Sequence, residues 1–251
     1  MIPLREQTPC HVKPLFRLEV TRLLEIGCAG AVFILFALLK ARTLYLTSGD
    51  GGLWFYAAKL WSEGVIPYRD FFVSHPPLQI ALPAFFFPLT GSNPVLLSAL
   101  YAILPSGLSG FLIFLIGKRA WGFLAGLLAA ILFLFGENHL MQSQHFTGIT
   151  LALFFLLAGV YFYLGGKILL SGVVLGIGTG TAIYVLPAFL VLLCLTRRWR
   201  DGFLLAKGYA LVLVPLHLLF LGIAGRSFIE QVYLYHLAKV AGSPYFMSVS
   251  A

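Results

Sequence analysis

An all-α integral membrane protein, with about seven membrane-spanning helices and shorter interfacial helices after the first, is the fold class this sequence predicts. Three observations predict it. Hydrophobic residues make up 60% of the 251-residue chain and charged residues only 10%, against roughly a quarter charged in soluble domains. The apolar residues come in runs close to the ~20 that an α-helix needs to cross the hydrocarbon layer, whereas a transmembrane β-barrel would alternate over segments of ~10 residues. The basic residues stand in small groups beside the ends of those runs. That placement orients a membrane protein, so the net charge of +8 implies no nucleic-acid partner.

In chain order the expected spans are Leu23 to Leu39, Val95 to Ile116, Ala120 to Phe135, Phe146 to Leu164, Ile168 to Thr181, Ala182 to Leu195 and Phe203 to Ile223. The region up to Arg22 lacks the short apolar core and small residues of a cleavable signal, so the first span reads as an uncleaved anchor. The three cysteines, Cys10, Cys28 and Cys194, lie far apart with no metal-binding spacing. No internal repeat or long linker divides the chain, which reads as one transmembrane domain over residues 1–251. The stretch after Ala224 ends on no closing element, and a piece or shortened relative of a longer protein is the expectation.

One apolar run, Pro76 to Leu89, is ambiguous. Its fourteen residues carry prolines at 76, 77, 83 and 88, which is short for a crossing and poor for an unbroken helix. Charge decides. If the run lies along the surface and the N-terminus is inside, the cytoplasmic segments collect Arg5, Lys13, Arg17, Arg22, Lys118, Arg119, Lys167, Arg197, Arg198 and Arg200, ten of the 17 basic residues. If it crosses, the groups at 118, 167 and 197 land outside, against the positive-inside tendency. The same test splits residues 168–195 into two short spans, with Gly176, Gly178 and Gly180 permitting close packing or a break; one tilted helix is the alternative.

This topology places three polar segments on the outer side: the loop from Ser48 to Pro77, the loop from Gly136 to His145, and the stretch from Ala224 onward, which opens an amphipathic segment from Phe228 to Val240. Together they hold Asp50, Glu63, Asp70, Glu137 and Glu230, and the histidines His75, His139, His145 and His236. A reaction site facing away from the cytoplasm follows. In the first loop Leu53, Trp54, Tyr56, Ala57, Leu60 and Trp61 share one side of a helical pattern and Lys59, Ser62 and Glu63 the other, as in an interfacial helix that Gly64 would end. The prolines at 76 and 77 suit the first turn of a second surface helix.

Asp50 is the first candidate for the chemistry. It precedes a helical pattern and fits an N-cap, and at the water–lipid boundary its carboxylate can also accept a proton from a bound hydroxyl. Asp70 is either catalytic or a turn residue paired with Arg69. Glu137 borders the third span, where a carboxylate is tolerated only at the edge of the hydrocarbon. Arg69 and His75 are donors near the same surface, and an arginine can hold a phosphate through two parallel hydrogen bonds; lipid headgroups are the bland alternative, above all for Lys59. His139 and His145 are six residues apart, out of helical register, and make no metal set. His217, within a span, reads as bonded to a neighbouring helix.

Gly49-Asp50 with its Trp/Tyr helix, then Pro67-Tyr68-Arg69-Asp70-Phe71-Phe72, His75-Pro76-Pro77-Leu78, the basic turn Lys118-Arg119 and Thr147-Gly148 before Leu151-Ala152-Leu153 form an ordered set of short motifs. The set resembles the GT-C membrane glycosyltransferases, and within them the family 39 group, relatives of protein O-mannosyltransferases and of lipid A aminoarabinose transferases, over nearly the whole chain. The resemblance implies a sugar donor on a polyprenyl phosphate, bound from the membrane lipid, and inverting transfer on the outer face of the plasma (inner) membrane to an acceptor that is a lipid, glycan or protein. It makes Asp50 the base toward the acceptor, with Asp70 and Glu137 as further catalytic candidates. His75 then stands where a basic residue before proline contacts the lipid phosphate, with Tyr68, Arg69, Lys59, His139 and His145 as further substrate-binding candidates. No nucleotide site, cofactor or metal is indicated. Two departures stand out: Gly51 replaces the second acid of a pair, and Ile149 replaces an acid near the fourth span, for which Glu137 would substitute. Family members are usually much longer. The rival readings are a non-catalytic subunit that binds polyprenyl lipid and, last, a small transporter, which needs facing polar groups at mid-membrane.

Overall fold

The computed structural model describes residues 15–42, 50–91, 93–143 and 145–240. Arg5, Cys10, Lys13, Ser48, Gly49 and residues 241–251 lie outside the described residues. The described residues are almost entirely helical, without strands. They form α1 (Leu15–Ala41), α2 (Asp50–Ser62), α3 (Leu78–Phe86), α4 (Pro94–Ser98), α5 (Leu104–Trp121), α6 (Phe123–Phe135), α7 (Glu137–Gln142), α8 (Ile149–Leu164), α9 (Ile168–Thr181), α10 (Leu186–Leu195), α11 (Trp199–Ala224), α12 (Arg226–Ile229) and α13 (Tyr235–Val240). A π-helical turn, Ala99–Ile103, joins α4 to α5, and another, Glu230–Leu234, joins α12 to α13.

Among the described residues three helices are long and apolar enough to cross a membrane: Leu23–Ala41, Val95–Trp121 and Trp199–Ala224. The shorter apolar helices Phe123–Phe135, Ile149–Leu164, Ile168–Thr181 and Ile183–Leu195 run beside them. The helix starts depart from the expected ones where glycine takes a left-handed backbone. Gly122 (φ 93°) separates α5 from α6, and Gly148 (φ 75°) delays α8 to Ile149, conformations that a side chain disfavours.

Several helix pairs pack antiparallel. α1 packs antiparallel to α5, with Glu25 ion-paired to Lys118 at one end and Phe33 edge-on to Phe111, 5.8 Å between ring centroids, further along. α8 and α9 are antiparallel, the Ser171 hydroxyl donating to the Gly159 carbonyl at 2.7 Å. Residues 168–195 do form two helices: after α9, Ala182 is extended (φ −151°, ψ 132°) and the chain turns through Ile183–Val185 into α10. α10 returns so that Phe189 stacks on Tyr209 of α11 at 3.8 Å. His217 bonds the Leu213 carbonyl and the Tyr233 hydroxyl, within its own helix and to the segment after α11.

The proline-rich run becomes α3 and a single 3₁₀ turn, Pro88–Thr90. At 1.5 Å per residue α3 is about 13 Å long, one of the shorter apolar helices, like α6, α9 and α10. It packs on α2 and on the end of α9, where Leu78 meets Gly180, burying Gln79, Ile80, Pro83 and Ala84. α2 begins at Asp50 and buries Gly51, Trp54, Ala57 and Ala58, while Leu53 and Tyr56, read from sequence as part of its apolar side, are 60% and 57% exposed. The stripe that packs inward is therefore narrower than the hydrophobic pattern.

Candidate active site

The C-terminal ends of α1, α9 and α11 and the N-terminal end of α8 meet at one end of the bundle, with α2, α3, α7 and residues 225–240. The links are direct: Lys40 donates to the Leu140 carbonyl, Gln79 to the Thr147 carbonyl at 2.8 Å, and Phe220 lies edge-on to Trp61 and Tyr68.

The connection from α2 to α3 is shaped by its own polar groups. Gly64 (φ 91°) ends α2. A tight turn follows, in which the Tyr68 amide donates to the Phe71 carbonyl (3.0 Å) and the Asp70 amide to the Ile66 carbonyl (2.9 Å). Asp70 closes it, accepting the Ile66 amide at 2.9 Å and the Arg69 guanidinium through two bonds of 2.8 and 2.9 Å. The Arg69 bonds, then the Ile66 amide, hold its carboxyl down at about 2. Tyr68 is the one described non-glycine residue at positive φ (66°), a conformation costing about 1–3 kcal/mol. Its buried ring is held edge-on by Phe220 and Phe228, and its hydroxyl donates to the His75 carbonyl at 2.7 Å.

Residues far along the chain complete this loop. The Gln231 amide donates to the Tyr68 carbonyl (3.0 Å) and accepts the Val73 amide (2.8 Å). The His236 ring bonds the Ser74 carbonyl at 2.8 Å. Segment 226–240 is thereby clamped across the stretch from Tyr68 to Ser74.

Between them lies a cavity of about 310 Å³. α2 contributes Asp50, Leu53 and Trp54, the loop Phe72, Ser74 and His75, α3 Gln79, the start of α8 Thr147 and Ile149, the α9–α10 turn Ala182 and Tyr184, and α13 Tyr235, His236 and Lys239. A second cavity of about 380 Å³ adjoins it, sharing Ser74, His75, Tyr184 and His236 and walled by Pro76, Ile183, Val232 and Leu237. A polar chamber thus opens beside an apolar one.

Asp50 is exposed at the first residue of α2, among the described residues without an ion pair, and the only acid on the chamber wall. The His75 ring meets Trp54 edge-on at 4.5 Å and His236 at 5.3 Å, with Nδ1 3.1 Å from the Ser74 hydroxyl. Burial, then His236, lowers His75 to about 4, while Asp50 pulls it upward. At neutral pH His75 is therefore an uncharged imidazole, still able to donate one hydrogen bond.

Of the nine sequence candidates, the fold brings only Asp50 and His75 into the chamber. Tyr68 lies behind it, bonded to His75. Asp70 and Arg69 occupy each other on an exposed turn, and Lys59 pairs with Glu63 at 3.7 Å on the outer side of α2. Glu137 is exposed in the first turn of α7, at the same end of the bundle but off the chamber wall. His139 is packed between Phe36 and Phe133, and burial, then Lys40, lowers it to about 4. His145 also lies off the wall. Ile149 does line the chamber, offering hydrocarbon and no carboxylate there. Sequence reasoning missed Ser74, Gln79, Tyr184, Tyr235 and Lys239 and quoted Thr147 only within a motif; the amphipathic pattern of 228–240, with His236 and Lys239 three residues apart, was the one further signal. Among the described residues no three His, Cys, Asp or Glu side chains gather as a metal site.

No protein-family profile matches the chain, and no curated protein matches it. Among solved structures it is similar to the Saccharomyces cerevisiae protein O-mannosyltransferase Pmt1-Pmt2 complex bound to the sugar donor, with a TM-score of 0.62 and 18% identity, over 81% of this chain and 34% of that one. The chain thus spans about a third of the solved chain's length. The described helical bundle thus shares the fold of part of that protein O-mannosyltransferase.

Proposed function

We propose that this chain carries the donor site of a membrane glycosyltransferase that moves a sugar from a polyprenyl phosphate to an acceptor hydroxyl, with inversion, on the outer side of the plasma (inner) membrane. The observation that carries this reading is the pair of adjoining cavities. An amphiphile with a sugar phosphate head and an apolar tail needs a polar chamber opening into a greasy one, and these two share a wall of Ser74, His75, Tyr184 and His236.

In the reaction Asp50 takes the proton of the acceptor hydroxyl as its oxygen attacks the anomeric carbon. The bond from that carbon to the phosphate oxygen breaks, and the polyprenyl phosphate leaves with the electron pair. One displacement inverts the centre, and a phosphate leaves as an anion without an acid to protonate it, so one carboxylate suffices. Lys239 and the two histidines supply donors for the charge that grows on the phosphate.

The direct test gives membranes holding the full-length protein either polyprenyl-phosphate-linked or nucleotide-linked radiolabelled hexose. Transfer from the lipid donor alone is expected. Transfer only from the nucleotide sugar, or lipid binding without turnover, defeats the assignment.

His75 adds a pH dependence. A phosphodiester beside it stabilises the imidazolium, so binding the glycosylated lipid takes up a proton. Below the pKa of the complex and above about 4, affinity should rise as pH falls, by up to about tenfold per pH unit. Titrating the donor's Kd from pH 7.5 to 5 checks it, and His75→Gln should flatten the curve. The diester keeps a constant charge over that range, so the slope belongs to the protein.

A further inference from the structure

The floor of the polar chamber holds a second set of groups that the transfer step leaves unused. Gln79, in the first turn of α3, is 1% exposed. Its amide nitrogen donates to the Thr147 carbonyl oxygen. That carbonyl can only accept, so the orientation of the amide is fixed and Oε1 faces away. The backbone carbonyl of Gln79 is held by the Tyr101 hydroxyl. Yet Oε1 itself is buried with no hydrogen-bond partner, and the same holds for the hydroxyls of Thr147 and of Thr150, which is 2% exposed. Gly148, left-handed between them, allows this approach: a Cβ there would lie 2.7 Å from the Tyr101 hydroxyl and 2.9 Å from Gln79 Cγ.

A buried polar atom left unpaired costs about 1–3 kcal/mol, and native proteins carry few. Here three occur together, and two belong to residues that line the chamber holding Asp50. Their chemistry is specific. The amide oxygen can only accept, which suits a hydroxyl group and offers nothing to a phosphate, while the threonine hydroxyls beside it can donate or accept.

We propose that Gln79 and Thr147 form the subsite that binds ring hydroxyls of the donor sugar and sets which sugar is accepted. This rests on the reading of the chamber as the donor site. Gln79 Oε1 accepts from one sugar hydroxyl, and the Thr147 hydroxyl exchanges a bond with a second. Such a site discriminates strongly, because a sugar lacking or inverting the matching hydroxyl leaves the protein groups unpaired again.

The experiment measures binding to the purified full-length protein in lipid nanodiscs. The probes are polyprenyl phosphate esterified with mannose, with glucose, or with methyl as a sugar-free diester of the same charge. Wild-type protein should bind one sugar-bearing lipid at least about tenfold more tightly than the methyl diester. Thr147→Val, nearly isosteric, and Gln79→Leu should each shrink that preference about tenfold, while the methyl diester binds as to wild type and so reports intact folding. If the sugar preference survives in both variants, the floor holds only trapped water and the subsite is wrong. A wild-type protein that binds all three diesters equally also overturns it, with the lipid reading intact. If no diester binds, the donor-site reading itself falls, and this inference with it.

Discussion

Asp50→Asn should lower sugar transfer by about 10²- to 10⁴-fold, the range a positioned general base contributes, and leave donor binding within a few fold. The substitution keeps shape and removes only basicity. Among the described residues the chamber has no other carboxylate to take over, since Ile149 stands on its wall and Asp70 and Glu137 lie off it. Asp70 is in addition held at about 2 by Arg69 and the Ile66 amide, which makes it a poor base, so Asp70→Asn should reduce transfer far less than Asp50→Asn does. The check is single-turnover transfer from a polyprenyl-phosphate sugar, measured beside the Kd for the same lipid. Unchanged turnover in the Asp50 variant would remove it from the chemistry.

Gly172→Ala and Gly208→Ala should each cost at least about 3 kcal/mol, the upper part of the range for overpacking, and sharply lower the yield of folded protein. α9 and α11 run parallel with these glycines against each other's backbone: a Cβ on Gly172 would lie 2.1 Å from the Leu205 carbonyl oxygen, and one on Gly208 2.2 Å from that of Leu169. Backbone cannot rotate aside as a side chain can, so the helices must separate, and Leu175 and Leu205, both fully buried near the seam, lose their packing. Gly222→Ala is the control. It lies on α11 too, but nothing stands within 4 Å of its Cβ position, and it should be neutral or slightly stabilising. Thermal melting in detergent, followed by size-exclusion chromatography, separates the two classes.

Much of this arrangement was legible in the sequence because the bilayer imposes simple rules. Apolar length marked the helices, and the scatter of arginine and lysine argued that Pro76 to Leu89 lies along the surface; the run forms α3 and a 3₁₀ turn. The split of residues 168–195 was open from sequence, and the extended Ala182 settles it as two helices. The individual site residues were much less legible. Scarce charge drew attention to Asp70, Arg69, Lys59 and Glu137, yet the first two satisfy each other in a turn and Lys59 pairs with Glu63. Charged groups on a loop have close neighbours available, and local pairing won. The residues that do build the chamber wall beside Asp50 and His75 are mostly neutral or arrive from far along the chain. Gln79 sits inside a run read as apolar, and His236 and Lys239 come from a segment more than 160 residues after the loop they face. A pattern-based reading registers neither a glutamine's unpaired oxygen nor a long-range return.

The clamp of Gln231 and His236 across Tyr68 to Ser74 has a consequence for biogenesis. When a ribosome has delivered everything through α10, the early helices can already be seated in the bilayer, but the chamber lacks the wall that only α13 supplies. Completion of the chamber is thereby tied to synthesis of the late segment.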